Sequence, residues 1–314
     1  MQELPEGLCS ELIDCGAVSL HVVSNRAPDP ADDRRPAIVL LHGFPEYWAA
    51  WKPVLPPLAE DFLVIAPDQR GYNRSDAPPG AENYAVRHLA GDVLALADRL
   101  IGRRRFLLAG HDWGASVAYA LAIGAPERLT GLIVVNGVHP VCFQRALIGD
   151  PYQARASQYI HWLRAPQAAA RLAENGFARL LAMLERFSAT PWLSEAERAA
   201  YVEAWSRPGR LEAMVNWYRA SPLVVPRPDG AADEAPLADG TADRFGIRVP
   251  HLLIWGGRDT ALRPSAHAGL EDFAPDLRRL DIADGDHWVI HSHGGRVADE
   301  IRQFARHCAD GAPQ

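Results

Sequence analysis

Short, uninterrupted apolar runs alternate along the chain with stretches of helical spacing. Ala37–Leu41 (AIVLL) and Phe62–Ala66 (FLVIA) are apolar at every position, the pattern of strands buried on both faces. Val18–Val23, Phe106–Ala109, Leu132–Val135, Leu252–Trp255 and Leu277–Ile282 predict further strands. His88–Leu100, Ala115–Ile123 and Arg296–His307 carry apolar residues at helical spacing and predict helices. Strand and helix in turn is the signature of a parallel sheet with helices on its faces.

The alternation stops between about Pro140 and Arg219, where helical patterns rich in Ala, Arg and Trp replace it. Ser221–Asp243 is then rich in Pro, Gly, Ala and Asp and predicts an exposed loop. Strand–helix alternation resumes at Val249. The expected organisation is one α/β core, residues 1–139 and 223–314, with a helical cap, residues 140–222, spliced into it.

Composition narrows the class of protein. The chain has 314 residues, 48% apolar and 23% charged, which fits a soluble globular fold able to bury its own core without metal or disulfide staples. A net charge of −7 gives no general attraction to nucleic acid or to an anionic membrane. Lys52 is the single lysine, and the Arg103–Arg105 run predicts a solvated face rather than a phosphate site. Cys9, Cys15, Cys142 and Cys308 form no CxxC pair and have no His at zinc spacing, so a reduced compartment and no metal site are expected. The acidic start MQELPEGLCSELIDCG lacks the basic and apolar regions of a signal peptide. No apolar run approaches the ~18 residues of a membrane span. A cytoplasmic protein is expected, with neither nucleic acid nor membrane as partner.

The most informative segment is Phe106–Gly114, FLLAGHDWG. A strand runs into Gly-x-nucleophile-x-Gly and then into a small-residue helix, the arrangement of a nucleophile elbow. The central residue is Asp112, and a carboxylate placed there attacks carbon to form an alkyl ester, where a Ser would attack an acyl group. His42-Gly43-Phe44-Pro45 follows the AIVLL strand. In this architecture that loop supplies one backbone N–H of an oxyanion hole, here Phe44, and the residue after the nucleophile, Trp113, supplies the other. Asp259 and His287 each follow a later strand and complete the chain order nucleophile, acid, histidine. Asp68, Arg70 and Asp76 are expected to brace loops around the site.

The segments His42–Glu46 (HGFPE), Asp68–Asp76 (DQRGYNRSD), Gly110–Gly114 (GHDWG), Asn136–Pro140 (NGVHP), Trp255–Asp259 (WGGRD) and Asp286–Trp288 resemble those of the cap-bearing α/β-hydrolases, in the group of epoxide hydrolases and haloalkane dehalogenases. The resemblance covers residues 15 to 308. It implies an α/β-hydrolase core, mostly parallel with helices on both faces, an inserted helical cap, an Asp nucleophile and a His–Asp pair that activates water. No metal and no organic cofactor is implied.

The cap separates the reactions of this group. Epoxide hydrolases of the group use two cap tyrosines as donors to the ring oxygen, and a phenol suits that task because it is neutral at pH 7 and carries a proton. Ser157–Ile160 (SQYI) resembles the first tyrosine motif and Asn216–Arg219 (NWYR) the second, which points to Tyr159 and Tyr218, with Tyr152 as the alternative for the first. His42, Pro45, Trp162 and Trp217 are expected to wall the substrate pocket. A haloalkane dehalogenase would need two N–H donors for the halide. Trp113 and Trp162 are candidates, but Phe44 stands where that family often has Asn or Glu. His161-Trp162 is similar to a pair in fluoroacetate dehalogenases, which carry Arg directly after the nucleophile where this chain has Trp113. The sequence therefore favours an enzyme that adds water to a small apolar epoxide to give a vicinal diol. A haloalkane dehalogenase and a non-catalytic ligand-binding module on the same scaffold are the alternatives. A monomer and a homodimer are equally compatible with it.

Overall fold

The computed structural model describes residues 4–26, 33–188, 190–227 and 234–310. Eight strands, β1 (Cys9–Asp14), β2 (Ser19–Ser24), β3 (Ala37–Leu41), β4 (Leu63–Pro67), β5 (Phe106–His111), β6 (Leu129–Val135), β7 (His251–Gly256) and β8 (Leu277–Ile282), form one sheet in the order β1-β2-β4-β3-β5-β6-β7-β8. β1 and β2 pair antiparallel, as do β2 and β4, and every later pairing is parallel. β3, β4, β5 and β7 are buried at every residue, so both faces of each strand demanded apolar side chains. β1 is a strand that the apolar pattern did not predict. It lies at the sheet edge with mostly exposed side chains, and an edge strand facing water carries no apolar run.

The helices are α1 (Leu55–Ala59), α2 (Val86–Ile101), α3 (Trp113–Gly124), α4 (Pro140–Gly149), α5 (Pro151–Ala156), α6 (Tyr159–Arg164), α7 (Ala168–Arg186), α8 (Glu195–Trp205), α9 (Arg210–Ala220), α10 (Ala242–Phe245), α11 (Val289–Ser292) and α12 (Gly294–Asp310). α3 packs on β3, β5 and β6 with α2 beside it, and α1 and α12 pack together against β4 and β6. No helix among the described residues is long and apolar enough to cross a membrane.

The six helices α4 to α9 lie between β6 and β7, with no strand among the described residues of that stretch. α6 to α9 pack on one another. α7 is broken at Glu174–Phe177, where Asn175, Gly176 and Phe177 take positive φ. α8 opens with a capping box, in which Ser194 Oγ accepts from the Glu197 N–H at 3.3 Å and the Glu197 carboxylate accepts from the Ser194 N–H at 2.7 Å.

The loop expected at Ser221–Asp243 is less exposed than its composition suggests. Val225 is buried, and the Val224 main chain exchanges two hydrogen bonds with the Gln144 side chain on α4. The short apolar run Leu223–Val225 anchors the segment before its polar part begins. Residues 228–233 of that stretch lie outside the described residues. Further on, Pro236–Asp239 and α10 are helical turns.

Candidate active site

β5 ends at His111 and α3 begins at Trp113, so Asp112 alone makes the turn between them. Its φ of 51° and ψ of −117° lie where a non-glycine residue is strained and held only by its surroundings. Two glycines permit the crowding. A Cβ on Gly114 would lie 2.2 Å from the Leu41 carbonyl oxygen, and one on Gly43 would lie 2.4 Å from the Asp112 Cβ. The loop after β3 and the first turn of α3 therefore close on the same carboxylate. The Phe44 N–H donates to Asp112 Oδ1 at 2.7 Å, and Trp113 occupies the first position of α3, where a backbone N–H has no partner within the helix.

His287 Nε2 stands 3.7 Å from Asp112 Oδ2, beyond hydrogen-bond range, while its Nδ1 is 2.8 Å from Asp259 Oδ2. Asp259 is itself fully partnered. Oδ1 accepts from the Ala261 and Leu262 N–H groups at 2.8 and 2.9 Å, and Oδ2 also accepts from Asn136 Nδ2 at 2.7 Å. Burial disfavours charge on both members of the His287–Asp259 pair, but their mutual attraction outweighs it. Asp259 is held below the usual carboxylate range, and His287 is raised to about 9 by Asp259, its hydrogen bond, Asp112 and Glu46.

Tyr159 at the start of α6 and Tyr218 near the end of α9 line one pocket with Asp112 and Trp113. Their rings lie 6.2 Å apart, and Tyr218 meets Trp113 edge-on at 4.9 Å and Phe44 at 5.1 Å. Burial, reinforced by their proximity to Asp112, pushes both phenols well above their ordinary value. They remain neutral donors. Arg164 fixes the two helices against each other, since Nε donates to the Tyr218 carbonyl at 2.9 Å and Nη2 to those of Ser221 and Leu223 at 3.1 and 2.8 Å.

The other expected wall residues do not line this pocket. His42 is fully buried. Its Nδ1 pairs with the Gly43 carbonyl and its Nε2 accepts from the Gln69 N–H, because the loop after β4 needs a brace there. The Pro45 carbonyl accepts from Trp205 Nε1 at 2.7 Å. Trp217 Nε1 donates to the Arg70 carbonyl at 3.0 Å, and its ring lines a neighbouring apolar groove. Trp162 lies under the Arg179 guanidinium of α7. Tyr152, the alternative first tyrosine, is 69% exposed, outside the pocket.

Asp68 accepts from Trp48 N–H and Asn73 and pairs with His21, Arg70 makes a two-pronged pair with Asp92, and Asp76 accepts from the Ser19 N–H. Sequence reasoning assigned no role to Asn136, whose side chain links Asp259 to the Gly256 N–H, nor to Glu46, buried at the centre of a cluster behind His287. The signal was present in both cases, a polar residue directly after a buried strand or its loop, but no spacing says which partner it meets. Among the described residues, no group of three His, Cys, Asp or Glu side chains could hold a metal ion.

Residues 36–294 match the model of the alpha/beta hydrolase fold family. The chain is 32% identical over 303 residues to the AB hydrolase superfamily protein YfhM of Bacillus subtilis (strain 168), covering 96% of this chain and 99% of that one. It is 30% identical over 284 residues to epoxide hydrolase 3 of Xenopus tropicalis, covering 88% and 72%. Among solved structures, one described under novel epoxide hydrolases in metagenomes from hot environments superposes with a TM-score of 0.81 at 30% identity, over 94% of this chain and 98% of that one.

Proposed function

The chain belongs to the alpha/beta hydrolase fold family, and from that premise we propose that it converts apolar epoxides to vicinal diols through an ester on Asp112. The observation that carries this reading is the pair Tyr159, half-buried, and Tyr218, buried, two neutral phenols sharing one pocket with the elbow carboxylate. An epoxide carbon needs a nucleophile on one side and an acid for the oxygen on the other, and this pocket offers both. Helices α4 to α9 act in this reading as a cap that brings the acids to the nucleophile.

In the first step Asp112 Oδ2 attacks a ring carbon, the C–O bond opens, and a tyrosine protonates the alkoxide. The attack removes the charge of Asp112 and leaves a tyrosinate. Both changes draw the proton from His287, since Asp112 is one of the groups that hold its ring charged. Neutral His287, oriented by Asp259, then takes a proton from water, which attacks the ester carbonyl. The Phe44 N–H already rests on Asp112 Oδ1, where the oxyanion of that step develops, and the Trp113 N–H is the second donor. Collapse releases the diol and restores the carboxylate. No metal or organic cofactor enters the cycle.

Halide chemistry is less well served. Trp162 lies away from the pocket, and the indole N–H groups of Trp205 and Trp217 are taken by backbone carbonyls. The test of the ester is His287→Gln mixed with styrene oxide and followed by intact mass. A stable adduct on the peptide containing Asp112 is expected, since alkylation needs no base. Inactive protein without any adduct would place His287 in the first step or in binding, and substantial diol formation by a folded Asp112→Ala protein would remove the covalent mechanism.

A further inference from the structure

Ser116 lies on α3, four positions after Asp112. Residues four apart share a helix face at a separation of about one turn, or 5.4 Å of rise. The Ser116 side chain lines both the pocket around Asp112 and the apolar groove of about 520 Å³ beside it. The neck where the two meet is otherwise walled by Trp113, Val138, Phe143 and Leu223. Among the described residues the Ser116 hydroxyl has no hydrogen-bond partner, whereas Ser221, also in the groove, accepts from the Leu223 N–H at 3.3 Å. A hydroxyl in an apolar passage that bonds nothing in its own chain costs free energy until a partner reaches it. What passes through this neck is the substituent of the substrate.

We propose that Ser116 is a specificity-determining residue whose hydroxyl donates to an oxygen in the substrate chain beside the epoxide, so that the site selects epoxides with an ether-linked apolar arm. The inference deepens the epoxide reading and rests on it. The spacing sets where the oxygen lies. Asp112 takes a ring carbon and Ser116 stands one turn away, so an oxygen two or three bonds from that carbon comes within reach of the hydroxyl. The groove sets what kind of oxygen it is. It runs on past Ala120 and Ile123 of α3 and past Ala90 and Leu94 of α2. An alcohol would end the substrate at the neck, whereas an ether passes it and leaves an alkyl arm to bury. An ether oxygen accepts and cannot donate, which suits a hydroxyl with a hydrogen to give. In the proposed cycle Tyr159 and Tyr218 do not compete for this oxygen, because the ring oxygen engages them. A polar group that only the right ligand satisfies discriminates against the analogue that leaves it unpaired.

Butyl glycidyl ether and 1,2-epoxyoctane have chains of equal length and differ only in an oxygen for a methylene. Ser116→Ala removes the hydroxyl and keeps the helix, since alanine is the better helix former. The measurement is the ratio of kcat/KM for the ether over the alkane in wild type and in Ser116→Ala. Comparing the two proteins cancels the different hydration of the free substrates. The ratio is expected to fall about fivefold on substitution, the worth of one neutral hydrogen bond, and an unchanged ratio would overturn the role of Ser116. The corresponding diols, 3-butoxypropane-1,2-diol and octane-1,2-diol, read the same contact without turnover. Their Kd values by calorimetry are expected to show the same loss of preference. If wild type opens neither epoxide yet the diols respond in this way, the epoxide reading fails and the Ser116 site stands. If neither epoxide opens and neither diol binds, both fall.

Discussion

Asp112 shows how much a single side chain depends on those around it. A carboxylate before a helix ordinarily caps it, but here the strained turn aims it at Phe44 N–H and His287 instead. In the proposed reaction the phenols decide what this carboxylate attacks. An alkoxide is a poor leaving group, and a positioned acid contributes roughly 10²- to 10⁴-fold. Single-turnover alkylation by an epoxide is therefore expected to slow by at least ~10²-fold in Tyr159→Phe with Tyr218→Phe. Phe keeps the packing with Trp113 and Phe44, so a rate near wild type would mean that the rings serve only the core. The residue types at Asp112, His287 and both tyrosines were readable from short motifs because each lies in a fixed relation to one strand or helix end. Glu46, Asn136 and Tyr201 were not, since their partners lie 155, 123 and 155 positions away.

At the scale of elements, α6 and α9 matter through their relative placement. Tyr159 opens one and Tyr218 lies near the end of the other, and a link between them is the Arg164 fork on the carbonyl of Tyr218 in α9 and those of Ser221 and Leu223 just beyond it. Cationic side chains at a helix C-terminus satisfy carbonyls left open there. Removing this one also lets the tyrosines drift apart, and a misplacement of about 1 Å can cost on the order of 10²-fold in rate. Arg164→Ala is expected to lower the melting temperature and to slow alkylation by roughly 10- to 100-fold, with Arg164→Lys intermediate because an ammonium cannot span three carbonyls. A normal alkylation rate in a destabilised Arg164→Ala protein would confine the fork to stability.

For the whole molecule, the pocket around Asp112 opens beside a larger apolar groove between α2, α3 and the end of α9, and Trp113, Ser116, Val138, Phe143 and Leu223 line both. A substrate with a long apolar arm can lay it there, and each buried methylene is worth about 0.8 kcal/mol. Gly91 of α2 lines the groove, and a Cβ on it meets nothing within 4 Å. Gly91→Phe fills the groove without strain, and replacing a mid-helix glycine does not weaken α2. Loss of two or three buried methylenes corresponds to roughly 30-fold in kcat/KM. That loss is expected for a long-chain terminal epoxide and not for propylene oxide. An equal effect on both substrates would show that the groove holds no part of the substrate.

The sequence by itself determined the parallel core, the elbow and the chain order in which Asp112, Asp259 and His287 follow their strands. Strands buried on both faces must be apolar throughout, and a tight turn at a helix start must carry glycines, so these demands leave marks within a few residues. Only the tertiary structure decided which side chains meet. It took His42 out of the expected pocket wall and into a loop brace, turned Trp162 toward Arg179, buried Val225 in a stretch composed like an exposed loop, and brought Glu46 between Tyr201 and His291. Such meetings follow from how separate segments pack, and packing is a property of the assembled core that no local spacing encodes.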